Sequence, residues 1–498
     1  MIPFSLAKLA KRAKGLIHVG AQVQGASEDA LIKSVSTSSK SVDQETLFIP
    51  LKGERFDAHD FIGDALEHGA QIVGSSHALE TLQEQVGADK LSKCTVLQCP
   101  DTLRLLGLSS QIVREESGVL IGAITGSCGK TTVKEMSASI LAQKGKTLFT
   151  EGNFNNDVGV PLTLLRLDQS FDYAIVEQGA SHLQDIARTA EFVEADYGLI
   201  TNVGEAHIEG FGSSKGVYLG KSELLDKLFS LYPVSERAYS KDGLLKGVGI
   251  VPADSQWYDS WLTDYSQAVL EGKLLSFGVS DQATMQVSQI VSVGSNLSFH
   301  LHSNDERFIC DVDICLNALG RHNAINAAGA ALLAMCMGAN ESEVVAGLCA
   351  TKNMQGRLSP VSYEHGLTVI DDAYNASFNA VIAAIDTLEP FKGKRVFIFG
   401  DMGELGSEEV ELHQKVGEHA RNKIDLLLCI GPLSQYSVSA MGHNALHFLQ
   451  HEDLIGYLQS YLSDKREHNT EVTCLIKGSH AMHMDKVVNA LKDFATKA

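Results

Sequence analysis

The sequence lacks paired cysteines, internal repeats, low-complexity tracts and any apolar run long enough for a membrane span. Its nine cysteines are scattered without a C-x-x-C pair, which excludes a zinc ribbon and predicts reduced thiols without disulfides. The apolar run 324–339 is too short to cross a bilayer and rich in small residues, so we expect a buried helix. Residues 6–14 read as an amphipathic helix and not as a signal peptide. We therefore expect a cytoplasmic protein without stable membrane insertion.

Basic residues are also scarce. Lys and Arg number 41 against 61 Asp and Glu, a net charge of −20, which argues against a nucleic-acid or membrane-surface binder. A chain of 498 residues is too long for one hydrophobic core. Strand and helix patterns alternate, with a change to short alternating segments over 246–314 that favours an antiparallel patch. We predict an α/β protein with domains at 1–112, 113–360 and 361–498.

The strongest motif is the glycine loop Gly126-Ser127-Cys128-Gly129-Lys130-Thr131-Thr132, which follows the apolar run 119–125 and precedes the amphipathic stretch 133–144. A strand, a glycine loop and a helix in this order place backbone N–H groups, a lysine and a threonine hydroxyl around phosphates and Mg²⁺. Ile124 occupies the position of the first glycine in the full Walker pattern. The alternative is a tight turn with an exposed lysine, but the context favours a nucleoside triphosphate site.

Other polar residues follow predicted strands. Glu177 ends the run 172–177 and His207 follows the run 197–203, so both should lie at the edge that carries the glycine loop. A carboxylate there is a natural Mg²⁺ ligand, although a solvated glutamate and a helix-capping histidine are equally open alternatives. Lys221 alone reads as an ordinary lysine on a helix surface. Asn155 and Asn156 precede the helical run 162–167, where capping is favoured over ligand binding.

The third predicted domain has three polar strand ends, at 371–376, 400–406 and 477–480, which should share one edge and face the nucleotide domain. Arg357 lies near the boundary of the second and third domains. An arginine at such a joint suits bidentate phosphate binding, and a structural ion pair is as good an explanation.

Together these residues resemble the Mur ligases, the ATP-dependent enzymes that extend the peptide of the bacterial cell-wall precursor. The resemblance runs along nearly the whole chain. Within the family, the segments 155–161, 371–376 and 400–406 are similar to those of the members that add the dipeptide D-alanyl-D-alanine. The resemblance implies a small N-terminal α/β UDP-binding domain, a central ATPase domain with a P-loop and a parallel sheet, and a C-terminal Rossmann-like domain.

The resemblance also implies residue roles. Lys130, Lys221, His207 and Glu177 would be catalytic, and Lys221 matches the lysine that family members carbamylate into a carboxylate-like ligand. Two Mg²⁺ ions would be bound by Thr131, Glu177, His207 and Lys221. ATP would contact Gly126, Ser127, Cys128, Gly129, Lys130, Thr131, Thr132, His322, Asn323, Asn326, Arg357 and Asp372. The other substrates would contact Ser39, Lys40, Asn155, Asn156, Tyr374 and Asn375.

The implied reaction joins D-alanyl-D-alanine to UDP-N-acetylmuramoyl-tripeptide through an acyl phosphate, with release of ADP and phosphate, in a monomeric bacterial enzyme. Ser38 and Lys40 stand where the family usually has aspartate and arginine, and His480 stands where arginine is usual. By the resemblance, the changes at Ser38 and Lys40 affect contacts on the uridine side, and the change at His480 affects a charge that could meet a substrate carboxylate. Two alternatives are a sister ligase for another amino acid, which Tyr374 and Asn375 argue against, and an inactive ATP-binding scaffold, which would be expected to lose Glu177, His207 or Lys221.

Overall fold

A computed structural model describes residues 1–20, 30–53, 55–204, 208–351 and 356–497. They form three main sheets that follow one another along the chain, with five, nine and six strands, and a two-stranded pair at the N-terminal end. The α/β class and the three-part architecture predicted from the sequence are confirmed. In the described part of the chain, no helix combines the length and the hydropathy needed to cross a bilayer.

The first sheet has the order β2-β7-β6-β5-β4 and is parallel except for the β2–β7 pair. The predicted boundary at residue 112 falls inside the long helix α5, whose buried side packs against the central domain. The elements are β1 Phe4–Ser5, α1 Leu6–Ala13, β2 Leu16–Val19, β3 Leu31–Ile32, β4 Ser34–Ser36, β5 Thr46–Phe48, α2 Ile62–Glu67, β6 Ile72–Ser75, α3 Leu79–Val86, α4 Ala88–Leu91, β7 Thr95–Gln98 and α5 Thr102–Ser117. A 3-10 turn, Ala58–Phe61, precedes α2.

The central sheet has the order β16-β15-β14-β13-β12-β11-β8-β10-β9. All six residues of β8 are buried because helices cover both faces of the parallel part. Its elements are β8 Leu120–Thr125, α6 Lys130–Leu141, β9 Thr147–Phe149, α7 Gly159–Leu164, β10 Tyr173–Glu177, α8 Asp185–Val193, β11 Tyr197–Ile200, α9 Ile208–Phe211, α10 Ser214–Leu231, β12 Val248–Pro252, α11 Tyr258–Asp264, α12 Ser266–Leu270, β13 Leu274–Gly278, β14 Met285–Val293, β15 Asn296–Ser303, β16 Asp311–Leu316, α13 Arg321–Cys336 and α14 Glu341–Ala350.

The chain leaves β8 towards β9 on one side and later returns to β11 on the other side. This reversal of strand order opens a crevice at the carboxyl end of β8, which is where open α/β sheets bind ligands. The helix α13 is buried along its length, as the small-residue run predicted. Antiparallel pairing starts only at β14, later than the sequence suggested, because β12 and β13 continue the parallel sheet.

The third sheet has the order β17-β18-β22-β19-β20-β21 and is parallel except for β17, which contains the predicted boundary residue Pro360. The strands β18, β22 and β19 are neighbours, so the three polar strand ends share one edge as predicted. The elements are β17 Ser359–Ser362, β18 Leu367–Asp372, α15 Phe378–Leu388, β19 Lys394–Gly400, α16 Glu409–Ala420, β20 Leu426–Ile430, α17 Gln435–Met441, β21 Ala445–Phe448, α18 His451–Glu467, β22 Val472–Lys477 and α19 Asp485–Lys497.

Candidate active site

A cavity of about 620 Å³ lies between the carboxyl edge of the central sheet and that of the third sheet. Most of the site residues predicted from the sequence line it, although they come from distant parts of the chain. These are Ser127, Cys128, Gly129, Lys130, Thr131, Thr132, Asn155, Asn156, Glu177, His322, Asn323, Asn326, Arg357, Asp372, Tyr374 and Asn375.

Two glycines allow the loop after β8 to fit between its neighbours. Gly126 has a φ of 144° and Gly129 a φ of 79°, both in the region that favours glycine. A Cβ atom on Gly126 would collide with the hydroxyl of Thr201, and one on Gly129 would lie 2.9 Å from Oδ1 of Asn326. Both glycines are therefore required by the backbone turn and by the close approach of neighbouring residues to the loop. The end of the loop forms the N-terminus of α6.

The residues after β11 hold the glycine loop in place. Asn202 accepts the Cys128 N–H at 2.9 Å through Oδ1 and donates to the Cys128 carbonyl at 2.9 Å through Nδ2. The Thr201 hydroxyl donates to the same carbonyl at 2.5 Å, and Ser127 Oγ accepts the Gly204 N–H at 3.0 Å. Sequence reasoning missed these supports, because nothing in the local pattern links a loop to a strand end more than seventy residues later.

Lys130 and Glu177 place opposite charges in the cavity. The Lys130 ammonium donates to the Gly126 carbonyl at 2.8 Å, and burial lowers the pKa of this lysine while the Glu177 charge opposes that shift. Glu177 is 2% exposed, and its Oε1 accepts the side-chain N–H of Asn155 at 2.8 Å. Its Oε2 is buried and has no hydrogen-bond partner among the residues that the structure describes. A buried carboxylate oxygen without a hydrogen-bond partner, next to the glycine loop, is the type of ligand that Mg²⁺ prefers. The residues therefore fit this metal.

Lys221 is buried at 1% exposure in α10, directly behind the cavity wall. Its ammonium donates to the Ala180 carbonyl at 3.0 Å and lies 4.9 Å from the centre of the Phe211 ring. Burial and, secondarily, the charge of Lys130 lower the pKa of Lys221 to about 7. The helix-surface interpretation is therefore wrong: this lysine is a buried amine with a substantial neutral fraction at neutral pH.

The segment just before β17 contributes an arginine, and the third sheet contributes a buried ion pair. The Arg357 guanidinium lies 4.2 Å from the centre of the Tyr374 ring in the third domain and donates to the Thr131 hydroxyl of the central domain at 3.3 Å, so it links these domains. Lys477 pairs with Asp372 at 2.6 Å and also donates to the Asn375 carbonyl. Burial raises the pKa of Asp372, an effect that Lys477 opposes. Cys128 Sγ and Ser377 Oγ make a second contact between these domains at 2.9 Å.

The start of α13 supplies a neutral wall. Burial and the charge of Lys477 lower the pKa of His322 to about 4, so the ring is uncharged near neutral pH. Asn323 donates to the Leu319 carbonyl at 2.7 Å, and Asn326 donates to Oδ1 of Asn323 at 3.1 Å. On the opposite side, Asn156 Oδ1 accepts the N–H of Gly159, the first residue of α7, at 2.8 Å, although the N-cap residue of that helix is Val158, which makes no side-chain cap bond.

Four predicted residues lie elsewhere. Gly126 and Lys221 adjoin the cavity without lining it, and Ser39 and Lys40 lie in the N-terminal domain outside its lining. Ser39 donates to Oδ2 of Asp64 at 2.5 Å, and Lys40 is exposed. His207 lies outside the described residues. His480, which departs from the family pattern, packs with its ring centre 6.1 Å from that of Tyr374.

The sequence was compared with family models and with known proteins. Residues 124–334 match the Mur ligase middle domain, and residues 356–480 match the Mur ligase glutamate ligase domain. The chain is 35% identical over 479 residues to the UDP-N-acetylmuramoyl-tripeptide--D-alanyl-D-alanine ligase of Escherichia coli strain K12, covering 95% of this chain and 96% of that protein.

Two solved structures are similar along almost their whole length. A crystal structure of MurF from Acinetobacter baumannii is 27% identical, with a TM-score of 0.84 and 99% of each chain covered. The MurF ligase from Thermotoga maritima in complex with ADP has a TM-score of 0.77 at 22% identity, covering 93% of this chain and 98% of that one. This second similarity concerns the fold.

Proposed function

This chain belongs to the Mur ligase family, and on that basis we propose that it joins D-alanyl-D-alanine to UDP-N-acetylmuramoyl-tripeptide with conversion of ATP to ADP and phosphate. The E. coli relative carries this activity in its name and shares 35% identity over 95% of this chain. The observation that carries the proposal is the single cavity in which the phosphate loop, Glu177 and the strand ends of the third domain meet. A ligase of this kind must bring a nucleotide and two further substrates together.

We assign the phosphate loop and Lys130 to the ATP phosphates. The N-terminal end of α6 and the loop N–H groups favour anionic oxygens, and Lys130 adds a mobile positive charge. Arg357 reaches Thr131 from the segment that leads into the third sheet, and we assign it to the phosphates as well. His322, Asn323, Asn326 and Asp372 are proposed to face the nucleoside.

We assign Mg²⁺ to Glu177 and Thr131, with His207 as a further ligand. When bound, Mg²⁺ supplies charge neutralisation to the phosphoryl group that is transferred. Asn155 donates to one oxygen of Glu177, so the other oxygen would be the one to hold the metal. This is a positioning role that the sequence did not predict for Asn155, in addition to its proposed contact with the muramoyl-peptide.

We propose that Lys221 is carbamylated and that the carbamate is the second metal-binding acid. The neutral amine attacks the carbon of CO₂, an N–C bond forms, and one proton leaves to solvent. A pKa of about 7 keeps a large part of this amine unprotonated at neutral pH, which an ordinary lysine would not do.

The reaction then needs two transfers. An oxygen of the tripeptide carboxylate attacks the γ-phosphorus, ADP leaves, and an acyl phosphate forms. The amine of D-alanyl-D-alanine attacks the acyl carbon, phosphate leaves, and the nitrogen loses a proton. Lys130 neutralises charge in both transfers, and the closed cavity orients the reactants and excludes water. Asn156, Tyr374 and Asn375 line the same cavity, and we assign them to contacts with these substrates.

Phosphate release from ATP and Mg²⁺ tests the function. UDP-N-acetylmuramoyl-tripeptide is supplied with D-alanyl-D-alanine or with single amino acids, and the product mass is determined. Release and product with the dipeptide alone support the proposal. Turnover with a single amino acid on a shorter precursor would identify a sister ligase, and nucleotide binding without turnover would identify an inactive scaffold.

We further propose that the enzyme acts as a monomer in the bacterial cytoplasm, and that Ser39 and Lys40 contact the uridine side of the substrate. Light scattering of the purified chain tests the first point. A mass of one chain is expected, and a stable dimer mass would contradict it.

A further inference from the structure

A buried lysine on α6, the helix that follows the glycine loop, has no part in the mechanism described so far. Lys134 lies one turn after Lys130, but its side chain is 1% exposed and lies outside the lining of the catalytic cavity. A long cationic side chain is rarely buried completely unless its charge is paired and its N–H groups are hydrogen-bonded. The partners of this ammonium therefore indicate what it does.

The Lys134 ammonium holds the end of a neighbouring strand. It donates to the Thr150 carbonyl at 2.6 Å, pairs with Glu135 at 2.8 Å and lies 5.5 Å from the centre of the Phe149 ring. Thr150 is fully buried and directly follows β9. Because Glu135 is the next residue of the same helix, the hydrogen bond to Thr150 is the one that reaches the sheet.

Thr150 in turn contacts Glu177, the carboxylate proposed for Mg²⁺. Its hydroxyl accepts the Glu177 N–H at 3.0 Å, and its own N–H donates to the Ile175 carbonyl at 3.1 Å. These two bonds continue the parallel pairing of β9 with β10 up to the residue that carries the carboxylate. Further along the same segment, Asn155 donates to Oε1 of that carboxylate. Lys134 therefore fixes the start of the segment that orients Glu177.

A second buried lysine shows a structural role without such a connection. Lys273 is fully buried and donates to the carbonyls of Pro233 and Glu236 at 3.1 and 2.6 Å. These two carbonyls belong to the connection between α10 and β12, and none of the three residues lines the catalytic cavity. Burial and carbonyl partners are common to both lysines, so the connection to Glu177 is the feature that distinguishes Lys134.

We propose that Lys134 is a positioning residue for the Mg²⁺ site and acts through Thr150 and the backbone of Glu177. The inference rests on the proposed assignment of Mg²⁺ to Glu177. Lys130 is assigned to the phosphates, and Lys134, one turn further along α6, sets the position of the metal-binding carboxylate relative to them. Groups that orient a metal ligand commonly change metal affinity about 10- to 100-fold, although they never touch the ion.

Binding of a non-hydrolysable ATP analogue to the full chain, with Mg²⁺ and with EDTA, tests the proposal. Lys134→Met removes the ammonium at similar length, and Thr150→Val removes the hydroxyl that accepts the Glu177 N–H. In both variants the calorimetric affinity with Mg²⁺ should fall about tenfold or more, whereas the affinity with EDTA should be unchanged. Thr150→Ser keeps the hydroxyl and should bind as the unmodified chain does. The matched control, Lys273→Met, should also match the unmodified chain in both conditions.

A double variant separates positioning from a general weakening of the fold. Glu177→Gln should lose the gain in affinity that Mg²⁺ provides, and adding Lys134→Met should cause little further loss, because the lysine acts through this carboxylate. Additive losses would overturn the proposal. A gain that Lys134→Met or Thr150→Val retains, or that Lys273→Met loses, would overturn it as well.

The binding measurement needs no peptide substrate, so it is independent of the ligase assay. An unmodified chain that binds the analogue equally with Mg²⁺ and with EDTA would overturn the metal assignment and this inference with it. Absence of ligase turnover in a chain whose variants show the expected pattern of binding would contradict the proposed function and support the role of Lys134.

Discussion

The nucleotide side of the molecule and its N-terminal domain differ in how their candidate residues are held. Lys130 at the start of α6, Glu177 at the end of β10 and Arg357 just before β17 are far apart in the chain, yet they line one cavity and contact partly or fully buried neighbours. Ser39 and Lys40 lie together on one loop, where Ser39 contacts Asp64 and Lys40 is exposed. The difference teaches that the residues proposed for the phosphates are held by convergence and burial, whereas the residues proposed for the uridine side lie on a more exposed loop.

The largest effect should come from Lys130→Ala. Removal of the ammonium takes away charge stabilisation of the transferred phosphoryl group, and turnover should fall roughly 10³-fold or more. The measurement is ADP formation at saturating substrates. The matched control is Lys144→Ala, an exposed lysine just beyond α6, which should retain activity. If turnover of Lys130→Ala fell less than tenfold, the proposed difference between the nucleotide side and the N-terminal domain would be contradicted.

Lys221→Arg keeps a positive charge but removes the amine that CO₂ can modify, and turnover should fall roughly 10²-fold. With ¹³C-labelled bicarbonate, the unmodified protein should give a carbamate signal in NMR. Because the pKa of Lys221 is about 7, this signal should grow as the pH rises through 7 and the amine loses its proton. Lys215→Arg, an exposed position on the same helix, is the control. A full-strength carbamate signal in Lys221→Arg would assign the modification to another lysine.

The buried ion pair of Asp372 and Lys477 on the cavity side tests how much buried charges there contribute to stability, apart from substrate binding. Asp372→Asn or Lys477→Met alone should lower the free energy of unfolding of the third domain by about 3 kcal/mol, because each leaves a buried partner charge. The double variant should recover most of the loss, as a urea denaturation cycle would reveal. A double variant no more stable than the single ones would mean that the two charges do not act as a pair.

The smallest effect should come from the N-terminal loop. Lys40→Ala should raise the KM for the UDP-substrate only a few-fold and leave kcat unchanged, because an exposed charge contributes about 1 kcal/mol or less. Lys33→Ala, another exposed lysine of this domain, is the control. A large fall in kcat would mean that Lys40 matters for turnover as much as the residues of the glycine loop do.

The sequence predicted best where chemistry and position are local. The glycine loop and Glu177 each end a buried strand, so their position at the sheet edge follows from the strand pattern alone. The burial of Lys221 could not be read this way, since its helix pattern is compatible with exposure, and only the family resemblance indicated its role. The structure then supplied the physical reason, a pKa of about 7 in an enclosed environment.

What the sequence did not predict is mostly tertiary. The hydrogen bonds from Thr201 and Asn202 to the glycine loop join positions that are far apart in the chain. The role of Asn155 towards Glu177 depends on a fold-specific approach of two loops. The late start of the antiparallel strands followed from pairing, because β12 and β13 have no local feature that separates parallel from antiparallel neighbours.

The contact between Cys128 Sγ and Ser377 Oγ makes the accessibility of Cys128 a measure of how close the two domains are. The thiol lies in the phosphate loop and the hydroxyl precedes the first long helix of the third domain, so their separation follows the relative position of the two domains. In a chain whose exposed Cys315 and Cys349 are replaced by serine, the rate at which a bulky maleimide labels Cys128 should report how accessible this interdomain contact is, with and without nucleotide.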